Sequence, residues 1–283
     1  MWTLSGFADE IAPELEVQLD NLEAEGIRYL ELRGVWGKKV LDLSDADLER
    51  LRSALDGRGM GVSAIGSPIG KIKITDPFPP HLEAFRRALE LARYLRAPFI
   101  RIFSFYVPEG EAERYRAEVM ARLRELVAIA GESGVALVHE NEKHIYGDIP
   151  ARCLDIVQTV GAGADPASGS ASGLRLVWDP ANFVQCGVRP HTEGYDLLRP
   201  YIAYVHVKDA LLESGRVTPA GLGDGEVSRT IAALRDSGFS GFFSIEPHLK
   251  AEGDLAGLSK PELFRKAAQA FKRLLMENGV AWQ

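Results

Sequence analysis

Four short apolar runs in the second half of the chain each carry an ionisable residue at or near the carboxyl end. VALVHE ends at Glu140, LRLVWD at Asp179 and FFSIE at Glu246, while YVHVKD contains His206. The runs are rich in β-branched and aromatic residues and read as strands. Three carboxylates and an imidazole make a hard, oxygen-rich donor set that suits one divalent metal ion, Mn²⁺ above all, with Mg²⁺, Co²⁺ or Zn²⁺ also accommodated. Glu140, Asp179 and Glu246 gathered without a cation would repel one another and be driven to protonate, so a bound metal is the simplest way to keep all three ionised. Taken singly, each residue has a plainer reading: a Glu at a strand end is commonly a solvated or salt-bridged terminus, and a lone His a satisfied core residue. The recurrence on four successive strands is what points to a shared centre.

The elements that would position them alternate along the whole chain. Strands are expected over 2–8, 29–33, 61–65, 99–103, 135–140, 174–179, 201–207 and 242–246, and helices over 13–25, 44–58, 80–95, 111–133, 149–160, 226–237 and 261–278, with a weaker helical stretch near 193–198. Ser44 and Asp45 supply a cap, Pro13, Pro80 and Pro261 stand where a helix tolerates a missing N–H, and Gly26, Gly57, Gly134, Gly161, Gly238 and Gly279 follow the helical stretches. Eight βα units of ~35 residues suit a closed α/β barrel, so the fold expected is a (β/α)8 TIM barrel forming a single domain over 1–283. The small, polar stretch GAGADPASGSASG at 161–173 reads as a flexible loop entering a strand, on the face of the barrel away from chemistry. In such a barrel the carboxyl ends of the strands converge on one mouth, where Glu140, Asp179, His206 and Glu246 would meet.

Composition narrows the partners. With 46% hydrophobic and 26% charged residues and no apolar run near the ~20 that a membrane-spanning helix needs, no membrane association is expected. The start MWTLSGFADEIAPE meets acidic residues within its first ten positions and lacks a basic opening, so no secretory signal is read and a cytoplasmic location is expected. Forty acidic against 33 basic residues give a net charge of −7, and no basic stripe runs through the sequence, which disfavours nucleic acid. A small carbohydrate is the expected partner, with homo-oligomerisation left open. Cys153 and Cys186 are too few for a disulfide framework and read as packed thiols. No GxGxxG or GxxxxGK[ST] follows the first strand, against a nucleotide fold.

HEN at 139–141, WDPAN at 178–182, HVKD at 206–209 and IEP at 245–247, in that order, resemble the xylose-isomerase-like barrel superfamily of sugar (and sugar phosphate) isomerases and epimerases, and GLGDGEVS at 221–228 resembles its Gly-rich segment after the seventh strand. The resemblance implies that Glu140, Asp179, His206 and Glu246 ligate the metal and that Glu140 and Glu246 double as the catalytic proton-transfer pair. The chemistry of the residues agrees. A metal holding a carbonyl and the adjacent hydroxyl stabilises the enediolate formed when the neighbouring carbon loses its proton, and two carboxylates can remove that proton and return it on the other face. An epimer results, or an isomer if the proton returns to the next carbon.

Further substrate-binding candidates are Asn182, which an Asn in a DPAN turn also explains as a turn former, and Lys208, which either binds a substrate oxygen or, like Asp209 after it, pairs with neighbours. Arg33, Ser67, Lys71 and Arg101 end or follow strands two to four and are candidates for holding hydroxyls or a phosphate, while Glu142 and His144 follow strand five. Dehydration of a keto-cyclitol of the inosose type on the same site is the alternative reaction, and a non-catalytic sugar-binding barrel the non-enzymatic one. A three-zinc apurinic-site endonuclease shares the barrel but needs many more ligands than a chain with six histidines, of which His206 is the one clearly on a mouth strand, offers, and the acidic charge also disfavours it.

Overall fold

The computed structural model describes residues 1–161 and 173–283. The loop expected over 161–173 therefore lies, apart from its two end residues, outside the described residues. Eight parallel strands form the wall: β1 (Thr3–Gly6), β2 (Tyr29–Leu32), β3 (Gly61–Gly66), β4 (Phe99–Ile102), β5 (Ala136–Glu140), β6 (Leu174–Trp178), β7 (Ile202–Val207) and β8 (Phe242–Ile245). From β2 to β8 each strand bonds to the next in chain order, and β8 bonds to β1, so the chain forms the expected (β/α)8 TIM barrel. β1 and β2 lie side by side with no ladder between them. The free edge of β1 is instead met by the C-terminal residues: Leu4 N donates to Gln283 O at 2.8 Å and Gln283 N to Trp2 O at 2.9 Å, which satisfies backbone groups that an open edge would leave exposed.

The helices are α1 (Leu15–Ala24), α2 (Asp45–Arg58), α3 (Pro79–Leu95), α4 (Ala112–Gly131), α5 (Pro150–Val160), α6 (Pro180–Gln185), α7 (Val227–Asp236) and α8 (Lys260–Glu277). Their local signals mostly act as expected. Ser44 Oγ accepts from Asp47 N while Asp47 Oδ2 accepts from Ser44 N, closing a reciprocal cap on α2. Gly57 stays inside that helix, which runs on to Arg58, and Gly59 at φ 63° takes the left-handed position instead. Gly161 ends α5 at φ −80° and so uses none of glycine's freedom. Pro13 also stays outside its helix: its carbonyl accepts from Trp36 N, tying the segment to the hairpin Gly34–Val35/Lys38–Lys39, and α1 starts at Leu15. The helix expected near 193–198 is irregular, a π turn at His191–Tyr195 running into Asp196–Leu198.

Period-two alternation decides what faces the barrel interior. Phe99, Tyr204 and Phe242 pack their rings together inside the barrel beside Ala64, Val138 and Val177. Two residues further along their strands come Arg101, His206, Ser244, Glu140 and Asp179, all buried. The alternate set, including Leu137, Leu176, Val205 and Phe243, belongs to the larger apolar core shared with the helices. The same pleat that fills the barrel with apolar side chains thus lifts a polar layer to its carboxyl-end mouth.

Candidate metal centre

Glu140 closes β5, Asp179 follows β6, His206 is the penultimate residue of β7 and Glu246 follows β8. One ligand atom from each lies within 4.8 Å of those from all the others, and all four side chains are buried. His206 Nδ1 stands 3.2 Å from Glu140 Oε1, 3.6 Å from Glu246 Oε2 and 3.7 Å from Asp179 Oδ2. His206 Nδ1 is buried without a hydrogen-bond partner, and Glu140 Oε2 and Asp179 Oδ2 are met by the cationic groups of Arg101 and Lys208. A bare donor of this kind costs free energy unless something polar or cationic meets it. An ion with bonds of about 2.0–2.2 Å to oxygen and nitrogen would be met by these four donors after small adjustments.

The surroundings hold the donors in place. Asn141 clamps the Asp179 peptide from both sides, its Oδ1 accepting from Asp179 N at 3.0 Å and its Nδ2 donating to Asp179 O at 2.9 Å. Asp179 caps the short α6 by accepting from Asn182 N at 2.8 Å, with Pro180 in the first turn. Asn182 is more than a turn former: its Nδ2 donates to Glu140 Oε1 at 3.0 Å and to Asn141 O at 2.9 Å, tying the ends of β5 and β6 together. On the far side of His206, Nε2 lies 3.1 Å from Glu31 Oε2. That leaves Nδ1 facing the other three donors.

Cations surround the carboxylates. Lys208 Nζ is 2.8 Å from both Asp179 Oδ2 and Glu246 Oε2, Arg101 Nη1 is 3.0 Å from Glu140 Oε2, and Arg33 Nη1 is 3.1 Å from Glu246 Oε1. Arg33 is itself tied to Asp9 and Glu10. Burial works against ionising Glu246, yet Lys208, His248, His206 and Arg33 hold its carboxyl well below the ordinary range. Glu140 is likewise lowered against its burial, by His206 and Arg101. Burial alone would push His206 and Lys208 down, but the surrounding carboxylates raise both well above their usual values. The field at the centre therefore favours positive charge, as a divalent cation would supply.

A cavity of about 130 Å³ opens over the ring, lined by Glu140 and Glu246 and by Arg33, Arg101, Asn182 and Lys208 among the substrate-binding candidates. Lys71 and Glu142 line it too, paired with each other at 3.2 Å. Ser67 and His144 do not. Ser67 Oγ is spent on its own turn, donating to Arg101 O at 2.6 Å, and His144 is exposed at φ 69° on the loop after β5. Three residues near the ring carried no motif: Glu31, and the pair Glu10 and His248, whose carboxylate and imidazole lie 3.1 Å apart at the rim. The available signal for Glu31 was an acid set between the leucines of YLEL in an otherwise buried strand.

Asp209 explains the glycine-rich segment after β7. Its Oδ2 accepts from Gly221 N and Gly223 N at 2.9 and 3.0 Å, and its Oδ1 from Ala210 N and Gly225 N, both at 2.8 Å. A Cβ on Gly223 or Gly225 would stand 2.5 or 2.6 Å from Asp209 Oδ1, so only glycine lets the loop wrap the carboxylate so closely. Asp209→Ala is expected to lower unfolding stability by about 2–4 kcal/mol, because part of the amide set is buried and loses its acceptor. Chemical denaturation measures it, and a change within about 0.5 kcal/mol would show that the loop does not depend on this carboxylate.

Residues 19–274 match the family model described as xylose isomerase-like TIM barrel, and the chain belongs to that family. A similar protein is the 2-epi-5-epi-valiolone 7-phosphate 2-epimerase of Actinoplanes sp., 29% identical over 216 residues that make up 76% of this chain and 74% of that one. Among solved structures, a D-tagatose 3-epimerase-like protein superposes with a TM-score of 0.74 at 17% identity, over 98% of both chains. The IolI protein with a zinc atom superposes with a TM-score of 0.74 at 19% identity, over 98% of this chain and 99% of that one.

Proposed function

We propose that the protein is a divalent-metal-dependent epimerase or isomerase of a small polyhydroxylated ketone, a sugar or sugar-like polyol. The observation that carries this reading is the convergence of four buried ligand atoms, one each from Glu140, Asp179, His206 and Glu246, beneath a polar cavity that Glu140 and Glu246 both line. The epimerase named among its relatives and the zinc-holding neighbour support the same reading. Glu140, Asp179, His206 and Glu246 would hold the ion, whose contribution is to draw electron density from the substrate's carbonyl and its neighbouring oxygen.

The remaining work falls to the chain's own groups. β5 and β8 stand apart around the barrel, so Glu140 and Glu246 reach the cavity from different directions. One carboxylate takes the proton from the carbon next to the carbonyl, and the other takes up a proton from water in the cavity and delivers it to the opposite face, the first acid later losing its proton to water to restore the starting state. Arg101 and Arg33 each hold one of the two acids in its ionised form and fix its direction. Lys208, a permanent cation beside Glu246, donates to the oxygen on which negative charge develops. The same ammonium could assist departure of a β-hydroxyl, which keeps dehydration of a keto-cyclitol as the second reading.

Protein loaded with one equivalent of Mn²⁺ is expected to exchange deuterium from D₂O into a ketose at a carbon next to the carbonyl, and protein treated with a chelator is expected to exchange none. Proton NMR reads the exchange. A product lacking one water, seen by mass spectrometry, would select dehydration instead. Absence of exchange and of product with every ketose and keto-polyol offered would overturn the reading.

A further inference from the structure

The segment between β3 and α3 forms one wall of the site. Lys71 lines the cavity over the ring, and Pro68 and Lys71 line a second cavity, of about 580 Å³, that opens beside it. No strand or helix runs through residues 67–78, so the path of this wall depends on the bonds it makes to its neighbours. On one side the chain after β4 meets its carbonyls: Phe103 N donates to Ile69 O at 2.8 Å, Phe105 N to Gly70 O at 3.0 Å and Tyr106 N to Ile72 O at 2.9 Å. Gly70 takes φ 89°, and a Cβ on it would collide with Phe103 O, so the two backbones touch at this residue. On the other side Gly70 N turns to α3 and donates to His81 Nε2 at 2.7 Å.

A backbone amide can only donate, so His81 accepts through Nε2 and carries its proton on Nδ1. A second proton on the ring would set two donors face to face. The surroundings favour the neutral form. Burial and the Arg122 guanidinium push the His81 pKa below the ordinary histidine value, and the residue stands third in α3, where the positive end of a helix disfavours a cation. Its ring lies against those of Phe78 and Phe105, and Arg122 on α4 stands over both of these. The other charged groups nearby are occupied or exposed. Glu118 on α4 pairs with Arg122 at 2.7 Å, Glu83 on α3 pairs with Arg86, Lys71 turns to Glu142, Asp76 accepts from Lys73 N at 3.0 Å, and the Lys73 side chain is exposed.

We propose that His81 is a positioning residue for this wall: as a neutral acceptor it latches Gly70 to α3 and thereby holds Lys71 at the cavity, and a second proton releases the segment. The latch is closed above the ordinary histidine value of about 6.5 and opens as the pH falls through the lower value of the folded protein. What release does to a substrate rests on the proton-transfer reading; the latch itself does not, and it is tested without any substrate.

Amide hydrogen exchange of the protein in excess Mg²⁺ is followed residue by residue by NMR from about pH 8 to about pH 5, each rate being divided by the intrinsic rate at that pH. Gly70 is expected to lose protection about tenfold or more on acidification, because its donor is left without an acceptor. Phe103, Phe105 and Tyr106 are expected to lose protection with it, as the carbonyls they meet move away, while Phe271 in the middle of α8 keeps its own. His81→Gln offers an amide oxygen in place of Nε2 and does not titrate, so Gly70 should stay protected in it at both ends of the range. His81→Leu offers no acceptor and should leave Gly70 unprotected throughout, but the wild-type and His81→Gln titrations decide the question without it. Unchanged protection of Gly70 in the wild type overturns the proposal, as does a loss shared by Phe271, which is general acid unfolding. A loss confined to Gly70 shows that the latch positions nothing. A loss that persists in His81→Gln assigns the titration to another group, and Gly70 unprotected in that variant at about pH 8 shows that an acceptor at this place does not suffice; either outcome overturns the proposal.

Discussion

Glu246→Gln is expected to lower turnover by about 10²–10⁴-fold while leaving the protein folded and able to bind substrate. The amide keeps the shape of the side chain and one oxygen for the ring, but it can neither take up nor release a proton near neutral pH. Glu246 also anchors cations: Lys208 Nζ is 2.8 Å from its Oε2 and Arg33 Nη1 3.1 Å from its Oε1. Losing its charge therefore weakens two further contacts, though Asp179 remains to Lys208 and Asp9 and Glu10 remain to Arg33. That residual pairing is why the variant should stay folded. The measurement is kcat on a ketose that exchanges with wild-type protein, with metal content determined in the same sample. A variant that keeps its metal and works within about threefold of wild type would remove Glu246 from proton transfer and leave it an electrostatic role.

Glu31→Gln is expected to weaken metal affinity by about 10–100-fold, with turnover largely recovered at saturating metal. The carboxylate lies on β2, across the barrel from the motifs, with its Oε2 3.1 Å from His206 Nε2, and both side chains are fully buried. By accepting the Nε2 proton it leaves Nδ1 bare toward the other donors and fixes the ring's orientation. A neutral amide accepts that proton more weakly and makes the imidazole a poorer donor to an ion. Competition titration against a coloured chelator reads the affinity, and the recovery of kcat with added metal separates this role from a general loss of structure. Affinity within about threefold of wild type would show that His206 needs no carboxylate behind it.

These two residues mark how far the sequence could be read. Glu246 was legible because it ends an apolar strand and recurs, one βα unit apart, with His206, Asp179 and Glu140. The pleat then needs only a closed barrel to bring such ends together. Glu31 was not, since an acid inside YLEL is equally consistent with a misplaced strand boundary, and only its pairing with a histidine 175 positions away gives it a purpose. Ser67 and His144 show the opposite failure. Both follow strands on the mouth side, yet Ser67 turns its hydroxyl onto Arg101 O and His144 lies exposed off the cavity lining. Position after a strand fixes the neighbourhood of a residue and says nothing about the rotamer or loop path that follows.

Taken alone, then, the sequence determined the number and order of the strands, most helix ends, and the four donors expected to share one ion. Those features follow from local rules: strand periodicity, capping and the placement of glycine and proline. The tertiary structure decided which cation stands beside which carboxylate, that Lys208 reaches both Asp179 and Glu246, that Asp209 organises the glycine-rich loop rather than the site, and that a second cavity opens beside the first. These depend on distances between residues far apart in the chain, which are set when the barrel closes and the loops pack over its mouth. No local pattern encodes them, because the partner of a buried charge is chosen by the geometry that excludes water from both.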